Sequence, residues 1–452
     1  MIGIFRNGEF MKKKISPYLL ISLSFIFVIL FGAFLLYLPI SRHNGIPFSF
    51  VDSIFMSTSS VCVTGLIPVN NLSETFTVFG KIVITLLVEI GGLGFVTLTI
   101  FVLSILGLKI GITDRFLVKE SLNQNSLKGM VKLVIFAVKT TLIIQLIGAI
   151  INFIIISQHY SFWTSIGMAI FHSVASFNNA GFDIFPARVS VELFTEHPIL
   201  LLNTSFLVII GGIGFIVIDD LIHKRKNNKF SLHTKIVLKT TAIIIIIGTI
   251  ILKLFEPKLP WLTSYITIVG ARTYGLQIVD FNAFSNAAYL LILLVMFIGA
   301  SPSSTAGGIK TTTAYTIYKS ILAYAKGKTP VTHNREIASQ SILKAFMIVV
   351  LSIIVIFVMI FLISAIEAGN SLIGATSQEA LHKIIFEVIS GYTTTGYTAG
   401  VSQVASMVSK LLLSLTMFFG RVGVITIISV WNRHITVDNK EIKYIEERII
   451  VG

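Results

Sequence analysis

Four short polar segments of the chain each carry one glycine, and their spacing repeats. An aromatic residue stands ten positions before each of Gly65, Gly181, Gly275 and Gly396, namely Phe55, Phe171, Tyr265 and Phe386. Small residues stand five positions before the same glycines, namely Ser60, Ser176, Gly270 and Gly391. Glycine adopts positive φ without steric cost, so successive carbonyl oxygens of such a segment can point towards one axis. The pattern predicts carbonyl rings that replace the hydration shell of a cation.

The four stretches expected to supply these carbonyls share only the glycine. They are Val63-Thr64-Gly65-Leu66, Asn179-Ala180-Gly181-Phe182, Thr273-Tyr274-Gly275-Leu276 and Thr394-Thr395-Gly396-Tyr397. A single glycine predicts a shorter filter than the TVGYG strand, which has two, and a more modest selectivity. The short helix before each stretch would aim its C-terminal carbonyls at the cavity below. Their partial negative charge favours a cation there and disfavours an anion.

Hydropathy determines which elements can position these segments. Of the 452 residues, 54% are hydrophobic and only 12% are charged, whereas roughly 25% of the residues of a soluble domain are charged. Apolar blocks that can cross a bilayer, which takes about 20 residues as a helix, occur eight times. They lie near residues 17–40, 76–107, 132–156, 196–221, 234–255, 284–322, 340–366 and 404–432. The composition excludes a soluble enzyme.

The glycine segments lie between spans one and two, three and four, five and six, and seven and eight. They are too short to cross the membrane. Non-helical backbone is tolerated at membrane depth only where it lines a cavity or is buried in protein. A second glycine follows each segment by 24 to 30 residues, inside the next span, namely Gly91, Gly211, Gly299 and Gly420. We therefore predict an all-α polytopic membrane protein. Its eight transmembrane helices and four re-entrant pore helices form four parallel pseudo-repeats of helix, pore loop and helix around one central pore.

The predicted boundaries follow from this register. They are a cytoplasmic N-terminus at 1–16, repeat 1 at 17–112, repeat 2 at 113–230, repeat 3 at 231–335, repeat 4 at 336–433 and a cytoplasmic C-terminal tail at 434–452. The apolar run after Lys12–Lys14 is too long for a signal peptide and lacks a small-residue cleavage site before Ser41, so a retained first span is expected.

The distribution of basic residues predicts the orientation of the chain. Of 35 Lys and Arg, 24 fall near the two termini and in the stretches 109–132, 224–239 and 319–344 around the junctions between repeats. Cytoplasmic loops collect Lys and Arg, so both termini are expected in the cytoplasm and the pore segments enter from outside. The same rule accounts for the net charge of +14 without a nucleic-acid partner.

Polar residues at 299–308 interrupt the sixth span and break its helical hydrogen bonding. One interpretation is a simple proline kink, which is common in membrane helices. The other, which we favour, is a flexible loop below the filter that blocks or opens the cavity. The residues assigned to this gate are Gly299, Ser301, Pro302, Ser303, Ser304, Thr305, Gly307, Gly308, Lys310 and Arg421.

Three charged residues lie inside or beside apolar blocks near this loop. Arg421 is deep in the last span, where an unpaired charge costs at least about 2.5 kcal/mol. It is therefore expected to pair with carbonyls of the gate loop or with Glu89, unless it snorkels to the inner interface. Lys310 is expected at the inner mouth, in contact with solvent or lipid.

The residues resemble those of the Trk/Ktr/HKT superfamily of potassium transporters, and within it the Ktr-type membrane subunit of bacteria. The resemblance covers nearly the whole chain. It rests, beyond the first filter stretch, on Phe177-Asn178-Asn179-Ala180-Gly181-Phe182, Gly211-Gly212-Ile213-Gly214-Phe215, Ser231-Leu232-His233-Thr234-Lys235, Ser303-Ser304-Thr305-Ala306-Gly307-Gly308-Ile309-Lys310 and Gly420-Arg421-Val422-Gly423.

The resemblance implies a potassium-translocating subunit of the cell membrane, with K⁺ as the transported ion bound at the filter carbonyls only. It also implies a homodimer in which each protomer has its own pore. A cytoplasmic ring of nucleotide-binding regulatory proteins (KtrA-like) is the implied partner, besides membrane lipid. The chain has no Walker-type sequence, so nucleotide is expected on that partner. Sodium dependence, with Na⁺ as an activator, is common in the Ktr branch, but no residue here demonstrates it.

The chain departs from the family pattern at three places. Tyr274 stands in the third stretch where the family usually has Ala, Tyr392-Thr393-Thr394-Thr395 stands where Phe-Gly-Thr-Val is commoner, and Glu89 stands where Gln is more familiar. Gly65 favours potassium, because a Ser at this position in plant relatives goes with sodium selectivity. Two alternatives stay open, a sodium-selective or sodium-coupled porter on the same scaffold and a regulatory membrane subunit that conducts nothing.

Catalysis and metal binding find no support in the sequence. The histidines His172, His223 and His233 lack ligand spacing, and no nucleophile, base and orienting group occur together. A single cysteine, Cys62, excludes an internal disulfide. The adjacent Asp219 and Asp220 are expected on a cytoplasmic docking or solvated surface.

Overall fold

The computed structural model describes residues 16–108, 110–121, 129–185, 194, 196–223 and 230–429, so the predicted terminal segments lie almost wholly outside the described residues. Helices dominate it. In chain order the helices are α1 (Pro17–Tyr37), α2 (Phe50–Val61), α3 (Leu72–Thr75), α4 (Val78–Leu93), α5 (Phe95–Ile105), α6 (Ile112–Ser121), α7 (Met130–Ile156), α8 (Phe162–Asn178), α9 (Pro198–Ile213), α10 (Phe215–Ile222), α11 (Leu232–Phe255), α12 (Trp261–Ala271), α13 (Asn286–Phe297), α14 (Thr311–Ala325), α15 (Ser339–Ile366), α16 (Ser377–Thr393), α17 (Val401–Val404), α18 (Met407–Val422) and α19 (Val424–Ser429). Strands β1 (Val331–Thr332) and β2 (Arg335–Glu336) form a short antiparallel hairpin.

Four helices, α1, α7, α11 and α15, are long and apolar enough to cross a membrane. Two bent pairs, α4 with α5 and α9 with α10, meet the same criterion when each pair is taken together. The first, third, fifth and seventh predicted spans therefore correspond to single helices, and their ends agree with the sequence prediction to within three residues. The fold is a mostly helical, polytopic membrane fold.

The second and fourth predicted spans are sharply bent, and the expectation of single continuous helices there is wrong. The axes of α4 and α5 differ by 92°, and those of α9 and α10 differ by 98°. The break falls at Gly94 with φ +83° and at Gly214 with φ +92°, values that a right-handed helix cannot contain and that glycine adopts freely. Gly423, with φ +89°, separates α18 from α19 in the same way. Each break follows the second glycine of its repeat by three residues.

The sixth predicted span is interrupted where the sequence placed the gate. Helix α13 ends at Phe297 and α14 begins at Thr311. Between them the chain forms a non-helical loop whose two ends, Ile298 and Ile309, are joined by a parallel bridge. We call residues 298–310 the intramembrane loop. A proline kink within one helix does not describe this segment.

The short helices α2, α8, α12 and α16 each pack against the long helix that precedes them. The first turns of two of them, α2 and α16, have side-chain caps. Ser49 and Asp52 form a capping box at the start of α2, and the Thr376 side chain accepts a bond from the Glu379 amide at the start of α16. Their last turns are buried, so each helix ends inside the protein.

The repeating aromatic residues pack in the interior of the protein. Phe55, Phe171 and Phe386 are buried in the core, and Tyr265 packs half-buried against it. Asp220, in contrast, is not on a solvated surface. It is buried, and its carboxylate accepts bonds from the Ser231 amide at 2.8 Å and the Thr234 hydroxyl at 2.6 Å, which fixes the start of α11.

An ion pair joins the first short helix to the last span. Lys410 Nζ on α18 lies 2.7 Å from Asp52 Oδ1 on α2, and the two side chains are only 12% and 14% exposed. Asp52 also accepts bonds from the Ser49 amide and hydroxyl. Since 358 positions separate the partners along the chain, the pair ties the two ends of the fold together.

Replacing Lys410 with Met should destabilise the protein, because it leaves a half-buried carboxylate without its cation. We expect a loss on the order of 2 kcal/mol, measured as a lower midpoint of thermal unfolding in detergent. The matched control is Lys383→Met, which breaks the more exposed Glu379–Lys383 pair and should lower the midpoint less. An equal effect of the two substitutions would contradict this role for Lys410.

Candidate functional site

The four glycine segments meet in space and contact one another in a closed order. At each glycine, an added Cβ atom would come within 3.0 Å of the backbone carbonyl oxygen in the next segment. The pairs are Gly65 with Ala180, Gly181 with Tyr274, Gly275 with Thr395, and Gly396 with Thr64. The first segment therefore faces the second, the second the third, the third the fourth, and the fourth the first again.

Three of the four turns have the same backbone conformation. All four glycines have positive φ, between +60° and +96°. Val63, Asn179 and Thr394, two positions before the glycine in the first, second and fourth segments, also have positive φ. That conformation is an outlier for the β-branched Val63 and Thr394, so the surrounding structure must hold it in place.

The hydrogen bonds of the turn in the third segment differ from those in the other three. In the other three, the amide of the residue before the glycine donates to the carbonyl five positions earlier, as Thr64 does to Ser59 at 2.8 Å. In the third, the amides of Tyr274 and Gly275 both donate to the Gly270 carbonyl, at 2.9 and 3.1 Å. The sequence departure at Tyr274 thus accompanies a different turn.

Each segment begins where a short helix ends. Helices α2, α8, α12 and α16 end at Val61, Asn178, Ala271 and Thr393, within four residues of the corresponding glycine. Helix C-termini carry partial negative charge on carbonyls without intrahelical partners. Four such ends beside one another make the region favourable for a cation.

Several side-chain oxygens in the segments have no hydrogen-bond partner among the described residues. They are Thr64 Oγ1, Asn179 Oδ1 and Thr394 Oγ1, and all three residues are fully buried. Buried oxygen atoms of this kind are costly unless an ion or water binds them. These three oxygens are therefore available to accept a bond from a cation or a water molecule.

The side chain of Tyr274 points away from the four glycines and into the protein. Its hydroxyl lies 2.8 Å from Ser176 Oγ on α8, and the side chain is buried. Tyr397 likewise donates to the Thr267 carbonyl of α12 at 2.9 Å. Each tyrosine belongs to one segment and bonds to the short helix of the segment before it, so the two hydroxyls couple neighbouring segments.

Sequence reasoning missed Glu387, which lies on α16 and is fully buried. Its carboxylate accepts bonds from the Thr398 hydroxyl at 2.9 Å and from the amides of Ala399 and Ser402 at 2.9 and 3.0 Å. It therefore fixes the turn that follows Gly396. The available signal was an acidic residue between apolar residues, nine positions before Gly396.

The second glycine of each repeat allows a close approach to a short helix. An added Cβ at Gly91, Gly211 or Gly420 would come within 3.0 Å of the carbonyl oxygen four positions before the segment glycine of the same repeat. In the third repeat the pattern fails, since the corresponding atom at Gly299 would meet the Gly307 carbonyl of the intramembrane loop instead. In the interrupted sixth span, the second glycine therefore packs against the intramembrane loop and not against a short helix.

The intramembrane loop is anchored on the break between α9 and α10. Its Ser301 amide donates to the Gly212 carbonyl at 3.0 Å, and its Thr305 amide donates to the Gly211 carbonyl at 3.3 Å. In return, the Phe215 amide donates to the Ser303 carbonyl at 2.9 Å. The bend therefore frees backbone groups that the loop then satisfies.

The same loop contacts two of the glycine segments. The Thr305 hydroxyl donates to the Phe177 carbonyl at 3.0 Å and accepts a bond from Asn179 Nδ2 at 3.3 Å. An added Cβ at Gly307 would come within 3.0 Å of Thr394 Oγ1. The loop thus lies against the second and fourth segments, on the side where their short helices end.

Arg421 joins the last span to this loop. Its guanidinium donates to the carbonyls of Thr305 and Gly91, and to that of Gly92 at 3.1 Å. Of the partners expected from the sequence, the loop carbonyl is confirmed. Glu89 is not a partner of Arg421, and a snorkelling arginine is excluded because all three bonds lead into the protein.

Two further cations bond to the loop. Lys310 donates to the carbonyls of Ala306 and Gly307 at 2.8 and 3.4 Å, bonds that the expected contact with solvent or lipid did not include. It lines, with Arg421, a cavity of about 110 Å³. Arg272, which sequence reasoning did not assign to the gate, is buried and lies 3.5 Å from the Gly299 carbonyl.

Comparisons with known proteins identify the family of the chain. A family model described as TrkH, cation transport protein, matches residues 10–270 and 261–438. The chain is 34% identical to Ktr system potassium uptake protein B of Bacillus subtilis, with 97% of each chain covered. It is also 34% identical to potassium/sodium uptake protein NtpJ of Enterococcus hirae, with 98% of each chain covered.

A solved structure shares the fold. The crystal structure of the potassium transporter TrkH from Vibrio parahaemolyticus matches with a TM-score of 0.67 at 17% identity, covering 94% of this chain and 88% of that one. The matches also confirm the prediction that the protein is not an enzyme, since these relatives are ion transporters. The chain belongs to the TrkH family of cation transport proteins.

Proposed function

We propose that the protein takes up potassium across the cell membrane through one channel-like pore, whose selectivity filter is the closed ring of glycine segments. The observation that carries the proposal is the cyclic approach of each glycine to the carbonyl of the next segment. Four such turns present backbone oxygens around one axis, where they can replace the hydration shell of an ion. The filter residues are those of the sequence prediction, Val63 to Gly65, Asn179 to Gly181, Thr273 to Gly275 and Thr394 to Gly396.

The intramembrane loop is the proposed gate. It lies against the segments at the ends of the short helices, and Arg421 bonds to the Thr305 carbonyl within it. A positive charge in a cation pathway is an electrostatic barrier. Conduction then requires the loop and the Arg421 side chain to move away from the axis, which means breaking the bonds to Gly91, Gly92 and Thr305.

The architecture we propose around this pore keeps the predicted repeat boundaries, with four parallel copies and both termini in the cytoplasm. The name of the Bacillus relative as part of a Ktr system supports a further subunit. A homodimer and a cytoplasmic nucleotide-binding ring are the proposed assembly, with nucleotide on the ring alone. Sodium as an activator belongs to the same proposal.

A sodium-selective or sodium-coupled porter is the second candidate. The Enterococcus relative is named a potassium/sodium uptake protein, and the third segment of this chain closes with a turn unlike the other three. A wider or less regular ring at that position would discriminate less between the two ions. The ion preference of the purified protein distinguishes the candidates.

Cation flux into proteoliposomes is the test. With potassium, rubidium, sodium or lithium as the only permeant ion and an imposed inside-negative potential, we expect potassium and rubidium flux well above sodium and lithium flux. The expectation follows from the backbone carbonyls that line the ring. Liposomes without protein are the control, and the assay is repeated with the regulatory partner added.

Each outcome of that assay decides between the candidates. Sodium flux above potassium flux would favour the porter. Absence of flux, with the partner present and the protein correctly inserted, would favour a membrane subunit that does not conduct.

Substituting Gly65 with Ser should lower the discrimination of potassium over sodium. Gly65 has φ +96°, and its Cβ would strike the Ala180 carbonyl, so the ring must open or shift there. We expect roughly a tenfold lower permeability ratio, equivalent to about 1.4 kcal/mol, read from the same flux assay. The control is Gly167→Ser on α8, where an added Cβ meets no atom within 4 Å. An unchanged ratio in a well-inserted Gly65→Ser protein would exclude this filter assignment.

Deleting residues 301–306 should raise flux, because it removes the loop and the carbonyl that holds Arg421. Thr305→Val is a milder version that keeps the shape of the side chain but removes its bond to the Phe177 carbonyl. We expect several-fold higher potassium flux for the deletion and a smaller rise for Thr305→Val. Ser320→Ala, which removes a hydroxyl bonded within α14, is the control. Unchanged flux in the deletion would leave the loop a structural element and not a gate.

A further inference from the structure

A partly buried carboxylate lies beside the second filter segment without a cation partner. Glu89 lies on α4, two residues before Gly91, and none of the described residues forms an ion pair with it. Its Oε2 atom accepts bonds from Gln145 Nε2 at 2.8 Å and from Asn178 Nδ2 at 2.6 Å. Its Oε1 atom is buried and has no partner among the described residues.

The side-chain amide of Asn178 offers a second buried oxygen atom that has no hydrogen-bond donor among the described residues. Asn178 Nδ2 donates both to Glu89 Oε2 and to the Val174 carbonyl, at 2.6 and 3.0 Å. Both of its hydrogens are therefore used, which fixes the orientation of the amide and makes Oδ1 an acceptor. Asn178 is fully buried, and its Oδ1 atom has no donor in the described structure.

The two oxygens belong to one cluster, because the amide that carries Oδ1 also bonds to the carboxylate. Helix α4 supplies Glu89, α7 supplies Gln145 and α8 supplies Asn178. Burying an ionised carboxylate without a counter-charge costs several kcal/mol. Oxygen atoms are the ligands that replace the hydration shell of an alkali cation, and none of the described residues donates a hydrogen bond to Oε1 or Oδ1.

The cluster also lies next to the proposed ion path. Asn178 is followed directly by Asn179 of the second filter segment. The carbonyls of Gly91 and Gly92, within one helical turn of Glu89, are the ones that hold Arg421. A cation that enters from the pore would thus reach Glu89 close to the positive charge of the gate.

We propose that Glu89 Oε1 and Asn178 Oδ1 bind a monovalent alkali cation in a site outside the filter, beside the gate arginine. The carboxylate supplies the charge, the amide supplies the second protein ligand, and water completes the shell. The inference rests on the proposed function only for the route of the ion. Binding itself can be measured without flux, so a failure of one proposal is distinguishable from a failure of the other.

Infrared difference spectroscopy of the purified protein tests the site. Exchanging choline chloride for potassium chloride, and then for sodium chloride, should shift the carboxylate stretching bands of the wild type. Glu89→Gln should lose this shift, and Glu89→Asp should keep a shift because it retains the charge. Glu74→Gln, which removes an acidic side chain outside the cluster, should leave the shift unchanged. The larger shift identifies which of the two cations the site prefers.

Uptake gives a second readout in proteoliposomes. The external concentration of potassium at half-maximal flux should rise roughly tenfold in Glu89→Gln, equivalent to about 1.4 kcal/mol of lost cation binding. A carboxylic acid C=O band that is present in both salts and absent from Glu89→Gln would show a protonated Glu89 and overturn the proposal. No spectral change on exchange of choline for either alkali cation would overturn it as well.

Discussion

The approach of the glycine in each segment to a carbonyl of the next segment is the constraint on which the site depends. A side chain at any of the four positions would come within 3.0 Å of a backbone oxygen, and the backbone cannot move aside as a flexible side chain can. The four short helices must therefore end close together. The long helices, the capping residues at the start of α2 and α16, and the tyrosines that bond across segments all act to hold those ends in place.

Backbone hydrogen bonding explains how the irregular parts of the fold are tolerated inside a membrane. Breaking a helix at Gly94, Gly214 or Gly423 exposes amides and carbonyls, which are costly in hydrocarbon. At Gly214 the intramembrane loop supplies the missing partners, since the amides of Ser301 and Thr305 and the carbonyl of Ser303 bond to the two halves of the break. The break and the loop depend on each other, so a movement of the loop also exposes the break.

The basic side chains beside the intramembrane loop bond to backbone carbonyls. They are Arg421, Lys310 and Arg272, and none of them forms an ion pair with a carboxylate in the described part of the chain. Carbonyl oxygens carry only partial charge, so these cations retain much of their field and can act on an ion nearby. Glu89 is the acidic group one helical turn from the carbonyls that hold Arg421, and its own bonds lead to amides.

The sequence by itself determined the features that follow from local rules. Hydropathy gave the positions of the long helices, the shared register identified the four glycines, and the cluster of glycine, serine and proline marked the interruption near Pro302. The need of Arg421 for a polar partner was also predictable, because a charge at membrane depth cannot remain unpaired.

Only the tertiary structure decided the bends near 90°, the direction of the Tyr274 ring and the partners of Arg421 and Glu89. Arg421 and Gly91 are 330 positions apart, and no local pattern specifies a contact over that distance. Which buried group meets which is set by the packing of whole helices, and that packing is a property of the complete fold.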